Sequence, residues 1–89
     1  MSIKVVVPKS LKHWLDGREE VDCEGKNVAE CIEYVEKRIP GFKQRIVDEK
    51  GELREDVFVF VNGDNVRHTK GLATQISDND QIGIIPLVL

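Results

Sequence analysis

Residues 81–89 read QIGIIPLVL, and the reading of this stretch decides the fold. Ile82 and Ile84 alternate with Gly83 and Ile85, the period of two that marks a strand with Ile82 and Ile84 facing in and Ile85 facing out. Pro86 is expected to stop that strand. Leu87, Val88 and Leu89 then leave three large apolar side chains in a place where chain ends are ordinarily frayed and polar. So apolar a strand belongs inside a sheet, and such a tail needs something to cover it. The other residues are therefore expected to build a platform for Pro86, Leu87, Val88 and Leu89.

Length and charge bound what that platform can be. Eighty-nine residues, 40% of them hydrophobic, suit one domain over 1–89 with one modest core. Thirteen Lys and Arg against sixteen Asp and Glu leave no surplus of positive charge for a row of phosphates, which argues against nucleic acid, RNA included, as a partner. No apolar run approaches the roughly 20 residues of a membrane span, and MSIKVVVPKS lacks the apolar core of a signal peptide. A cytoplasmic protein with no membrane partner is expected. Two cysteines are too few for a disulfide framework, and a reducing compartment keeps them as thiols.

Working outward, Ile3, Val5 and Val7 alternate with Lys4 and Val6 as a central strand. Ser10 is placed to cap a short turn carrying Leu11, Trp14 and Leu15, and Asp16-Gly17 reverses the chain. Glu20 to Glu24 alternates, with Val21 and Cys23 on one face and carboxylates on the other, a half-solvated strand that pairs with the first as a hairpin. The clearest element runs from Asn27 to Ile39. Asn27 with Glu30 three residues on resembles a capping box, and Val28, Cys31, Ile32, Val35 and Ile39 form one stripe at helical spacing. Pro40-Gly41 ends it, and Phe42 and Ile46 suggest one further amphipathic turn. The polar connection DEKGELRED follows, anchored at Leu53.

In VFVFVNGD, Val57, Val59 and Val61 point one way and Phe58 and Phe60 the other. Asn62-Gly63 makes a tight turn, Val66 begins a short return strand, Gly71, Leu72 and Thr74 mark a turn, and residues 77–80 turn into the last strand. The order is strand, strand, helix, short helix, strand, short strand, strand. A lone amphipathic helix must cover a sheet whose strands come from both ends of the chain. That makes the fold α+β, a ubiquitin-like β-grasp: a mixed sheet of four to five strands on one main helix plus a short second one, the terminal strands adjacent and parallel.

The ordered combination of RIPGF, DEKGELR, VNGDNVR, GLAT and DNDQIGIIP resembles the MoaD/ThiS family of ubiquitin-like sulfur carriers over nearly the whole chain, in appearance most of all the small subunit of molybdopterin synthase. The resemblance implies a carrier whose C-terminal glycine is adenylated by an E1-like enzyme and converted to a thiocarboxylate. It then enters a sulfur-accepting partner such as a molybdopterin synthase large subunit, in molybdenum or tungsten cofactor biosynthesis. Relatives end in Gly-Gly, whereas this sequence reads Leu87-Val88-Leu89. A diglycine threads a narrow channel, and leucine and valine do not do so easily. Three readings follow: a diglycine beyond Leu89, a modified activating enzyme, or lost carrier chemistry with a retained docking surface.

Alternation alone outlines that surface. With Ile3, Val5, Val59, Val61, Ile82 and Ile84 facing the helix, Val6, Phe58, Phe60 and Ile85 share the outer face, rimmed by Pro8 and Pro86. Such a patch is the kind that binds a protein partner, although single exposed apolar residues are ordinary on any surface. Other candidates for chemistry are weaker. Cys23 and Cys31 fall on inward positions and read first as small buried hydrophobes. His13 and His68 lie far apart and read as surface residues, and no metal or cofactor is expected. No nucleophile, base and orienting group fall together, so no catalytic residue is assigned. Two classes remain: a carrier modified at its C-terminus, and an interaction module of the same fold that docks without being modified.

Overall fold

The computed structural model describes residues 3–87. In chain order it contains β1 (Ile3–Val6), β2 (Glu20–Cys23), α1 (Val28–Arg38), β3 (Val57–Val61), β4 (Asp64–Asn65) and β5 (Gln81–Pro86). Short 3-10 helices fill the connections at Lys9–Leu15, Lys43–Arg45, Val66–His68 and Gly71–Ala73. The strands form one sheet in the order β2-β1-β5-β3-β4. β1 and β5 run parallel, with Val5 opposite Ile82, and the other pairings are antiparallel. The first and last strands thus stand side by side in the middle of the sheet, as the ubiquitin-like β-grasp requires.

The core lies between this sheet and α1. Ile3 and Val5 of β1, Val57 and Val59 of β3, and Ile82 and Ile84 of β5 are buried in one cluster with Val28, Cys31, Ile32 and Val35 of α1. Two periodicities meet there, two residues along the strands and 3.6 along the helix. Asn27, with an extended backbone, accepts the Glu30 amide on Oδ1 at 2.8 Å. Glu30 returns the favour one residue further out than in an ordinary capping box, accepting the Lys26 amide at 2.9 Å. The helix ends at Ile39, and Gly41 takes φ 99° to turn the chain away.

The second apolar turn forms as expected. Phe42 and Ile46 are buried on either side of Lys43–Arg45, and the Glu36 carboxylate accepts the Gly41 and Lys43 amides at 3.2 and 2.7 Å. In the polar connection, Leu53 is half-buried and bridges Val47, the anchor role expected of it.

Three local expectations are corrected. Ser10 caps nothing; Pro8 holds the N-cap position of the 3-10 helix with φ −60°, and its ring fixes that angle without a side-chain hydrogen bond. The return strand after the Asn62-Gly63 turn is Asp64–Asn65, and the buried Val66 instead opens a 3-10 helix whose Arg67 amide donates to Asn65 Oδ1 at 2.9 Å. Pro86 does not stop β5. It pairs with Val57, and one residue later the Leu87 amide donates to the Asp56 carbonyl at 2.7 Å. In an antiparallel ladder every second residue turns its N–H away from the partner, and Pro86 holds such a place, so its missing donor costs the β3–β5 ladder nothing. No helix among the described residues is long and apolar enough to cross a membrane.

Candidate functional site

The outer face of the sheet assembles from register. Val6, Gly83 and Phe60 form one row across β1, β5 and β3, and Ile85 and Phe58 form the next. The Phe58 and Phe60 rings lie 6.5 Å apart and tilted by 44°, within the range of favourable aromatic pairs. Phe58, Phe60 and Val6 are half-buried, whereas Val59 between the two rings is 1% exposed. Ile85 is 46% and Leu87 49% exposed, the large apolar side chains most open to solvent among the described residues. Pro8 is exposed just past the end of β1, and Pro86 is half-buried in β5. Val88 and Leu89 lie outside the described residues.

Gly83 is the member of this face that alternation did not single out. A Cβ built there meets nothing within 4 Å, so the glycine leaves a dent between Val6 and Phe60, bordered by Ile85. The only signal in the sequence was a lone glycine inside a strand pattern, which marks either a bulge or a close approach.

Beyond Val6 and towards β2 the face changes character. Lys4 Nζ lies 3.0 Å from Asp22 Oδ1 and 3.9 Å from Glu20 Oε1. The Asp22 hydrogen bond, then the charges of Asp22 and Glu20, hold the Lys4 ammonium above its ordinary range. The sheet therefore presents an apolar, ring-bearing half over β5 and β3 and a charged half over β1 and β2. β5 carries the chain through the apolar half and out past the end of its pairing with β1 at Gly83.

The remaining candidates separate. His13 and His68 are exposed, and among the described residues no three His, Cys, Asp or Glu are grouped to hold a metal ion. Cys23 and Cys31 are both buried free thiols in the core cluster, at the end of β2 and near the start of α1. The cleft between β2 and the end of α1, about 420 Å³, is rimmed by Asp16, Arg18 and Arg38 over Val21 and Ile39. It holds charged rims and apolar floor, and no nucleophile beside a base.

Comparison with known proteins agrees with this geometry. The model of the ThiS family matches residues 5–89. The chain is 32% identical over 90 residues to the sulfur carrier protein CysO of Mycobacterium tuberculosis, covering 99% of this chain and 97% of the relative. It is 34% identical over 88 residues to a putative sulfur carrier protein of Archaeoglobus fulgidus, again covering 99% and 97%. A chain in the crystal structure of the Amycolatopsis orientalis BexX/CysO complex superposes with a TM-score of 0.92 at 34% identity, covering 99% of this chain and 98% of that one. Similarity that runs from β1 through β5, together with the matching topology, makes this chain a member of the ThiS family.

Proposed function

We propose that this protein is a ubiquitin-like sulfur carrier, activated at its C-terminus and docked to its partners through the outer face at Val6, Phe58, Phe60 and Ile85, with Gly83 between them. The observation that carries the reading is the course of β5. It lies at the sheet centre, held by β1 and β3, and delivers Ile85 and Leu87 to solvent beside the aromatic pair. A strand paired with β1 as far as Gly83 and with β3 as far as Pro86, whose exposed side chains lie beside the aromatic pair, gives a carrier's partner a surface along which to dock.

The chemistry required of the partners follows. An E1-like enzyme joins the C-terminal carboxylate to the α-phosphoryl of ATP, releasing pyrophosphate. A sulfide equivalent then displaces AMP, leaving a thiocarboxylate in which one oxygen has been replaced by sulfur. The carrier supplies no base or nucleophile of its own and acts as cosubstrate. For the recipient, the relatives named sulfur carrier protein CysO favour a carrier of that type. Delivery to a molybdopterin synthase large subunit in molybdenum or tungsten cofactor biosynthesis is the narrower reading that the sequence motifs suggested.

The test is the intact mass of the full-length gene product after incubation with ATP, a sulfur donor and its cognate activating enzyme. Replacement of one oxygen by sulfur is expected, and it should need ATP. An unchanged mass together with measurable binding to the enzyme would leave the non-conjugating interaction module as the function.

A further inference from the structure

We infer that Arg67 is a positioning residue for the C-terminal stretch: its guanidinium clamps the turn 54–57, and that turn holds Leu87 through the Asp56 carbonyl. The clamp stands on geometry alone, and its effect on activation rests on the carrier reading. The root of Arg67 is fixed first. Val66 before it is fully buried, the Arg67 amide donates to Asn65 Oδ1 at 2.9 Å, and the Thr69 amide and hydroxyl both donate to the Val66 carbonyl at 3.0 Å. From that root Nη2 donates to two backbone carbonyls, that of Val57 at 3.1 Å and that of Arg54, one for each of its hydrogens.

Register explains why a side chain is needed there. The Leu87 amide donates to the Asp56 carbonyl at 2.7 Å, so Val57, paired with Pro86, turns its own carbonyl away from β5. On that side β4 ends at Asn65, opposite Phe60, and no strand among the described residues runs beside Val57. The guanidinium takes the place of the missing ladder partner. The Arg54 end of the turn is tied separately, its amide to the Ile46 carbonyl at 2.9 Å and its Nε to the Gln44 carbonyl at 2.8 Å. The Val57 amide closes the turn on the Arg54 carbonyl at 3.3 Å, long for a backbone hydrogen bond. Arg67 therefore draws the two ends together around Asp56, and Asp56 holds the backbone of Leu87 one residue past the last strand pair. The contact adds no base or nucleophile. It narrows the directions in which the chain continues from β5, and so the search that an activating enzyme must make for the carboxylate.

The test follows amide exchange of the intact chain and, separately, its activation. In Arg67→Ala the Leu87 amide should exchange about tenfold faster, the factor that one lost hydrogen bond is worth, with Gly83 in the same strand unchanged. Equal exchange at Leu87 in variant and parent would overturn the clamp. Arg67→Lys keeps the charge on a chain one bond short of Nη2 and should behave as the alanine variant does; parent-like exchange with lysine would assign the effect to charge and overturn the geometry. With the cognate activating enzyme and ATP, Arg67→Ala should lower kcat about tenfold while KM for the carrier stays near the parent's, because the outer face is untouched. A parent-like kcat, or a loss confined to KM, would overturn the positioning role. Asn27→Ala, which weakens the helix cap instead, should keep the parent's Leu87 exchange and kcat; if it shared both changes, general loss of stability and not the clamp would be their cause. A parent chain that is never adenylated would refute the carrier reading, and the exchange rates at Leu87 would still decide the clamp.

Discussion

Gly25 is the residue at which the smallest change should have the largest effect. A methyl group there would meet the Cys31 amide nitrogen and Glu30 Cβ, both at 2.8 Å, and neither is the free end of a flexible side chain. Gly25→Ala is expected to destabilise by about 1–3 kcal/mol, as other overpacked sites do, read as a lower urea midpoint with unchanged slope. Asn27→Ala removes the acceptor for the Glu30 amide and should cost about 1 kcal/mol. The two sites differ in how legible they were. Asn27 and Glu30 sit three apart in the sequence, so their cap can be read locally. Gly25 matters because a connection lies against a helix start, which no local pattern records. Two half-buried carboxylates give a pH dependence. Glu36 is held below the ordinary range by the Lys43 and Gly41 amides, and Asp48 by the Glu52 amide and then, against burial, that of Lys50. Depressed folded-state values mean stability that is present above the unfolded-state range, about pH 4, and lost as pH falls through the folded-state values. Acid titration of the unfolding midpoint should show this loss, and Glu36→Gln should flatten it.

At the scale of elements, the outer face separates stability from binding. Gly83 has space around its Cβ position and needs no left-handed backbone, so Gly83→Leu should fold with a midpoint close to that of the parent. It would nonetheless fill the dent between Val6 and Phe60 and weaken partner binding at least tenfold, about 1.4 kcal/mol, measured by calorimetry against the activating enzyme. Phe60→Ser should weaken binding by a similar factor, because aromatic residues at an interface centre carry much of its energy. The faces of β3 and β5 could be read from alternation, since each strand has one side on α1. Termination could not. Pro86 looked like a stop because proline lacks a donor, but whether a donor is needed depends on which neighbour that N–H would face, a matter of register. Val66 was misplaced for a related reason: an apolar residue after a tight turn suits a strand, yet its burial is achieved in a 3-10 helix while the strand ends at Asn65.

For the molecule as a whole, the placing of both terminal strands at the sheet centre pairs the last strand with β1 as far as Gly83 and with β3 as far as Pro86 while leaving the Ile85 side chain open. The charged half of the sheet, with Lys4 between Glu20 and Asp22, borders the apolar half. The topology was legible because a single amphipathic helix and strands at both ends of the chain leave few arrangements. The recipient of the sulfur was not, because specificity lies in surfaces of the partner that this chain does not encode. The most direct measurement is hydrogen exchange of the carrier alone and in complex with its activating enzyme. Protection is predicted at Phe58, Phe60, Gly83, Ile85 and Leu87, with the exposed face of α1 unchanged. Protection confined to α1 and the 48–54 connection, with β5 exchanging as in the free protein, would contradict the presentation of β5 to a partner.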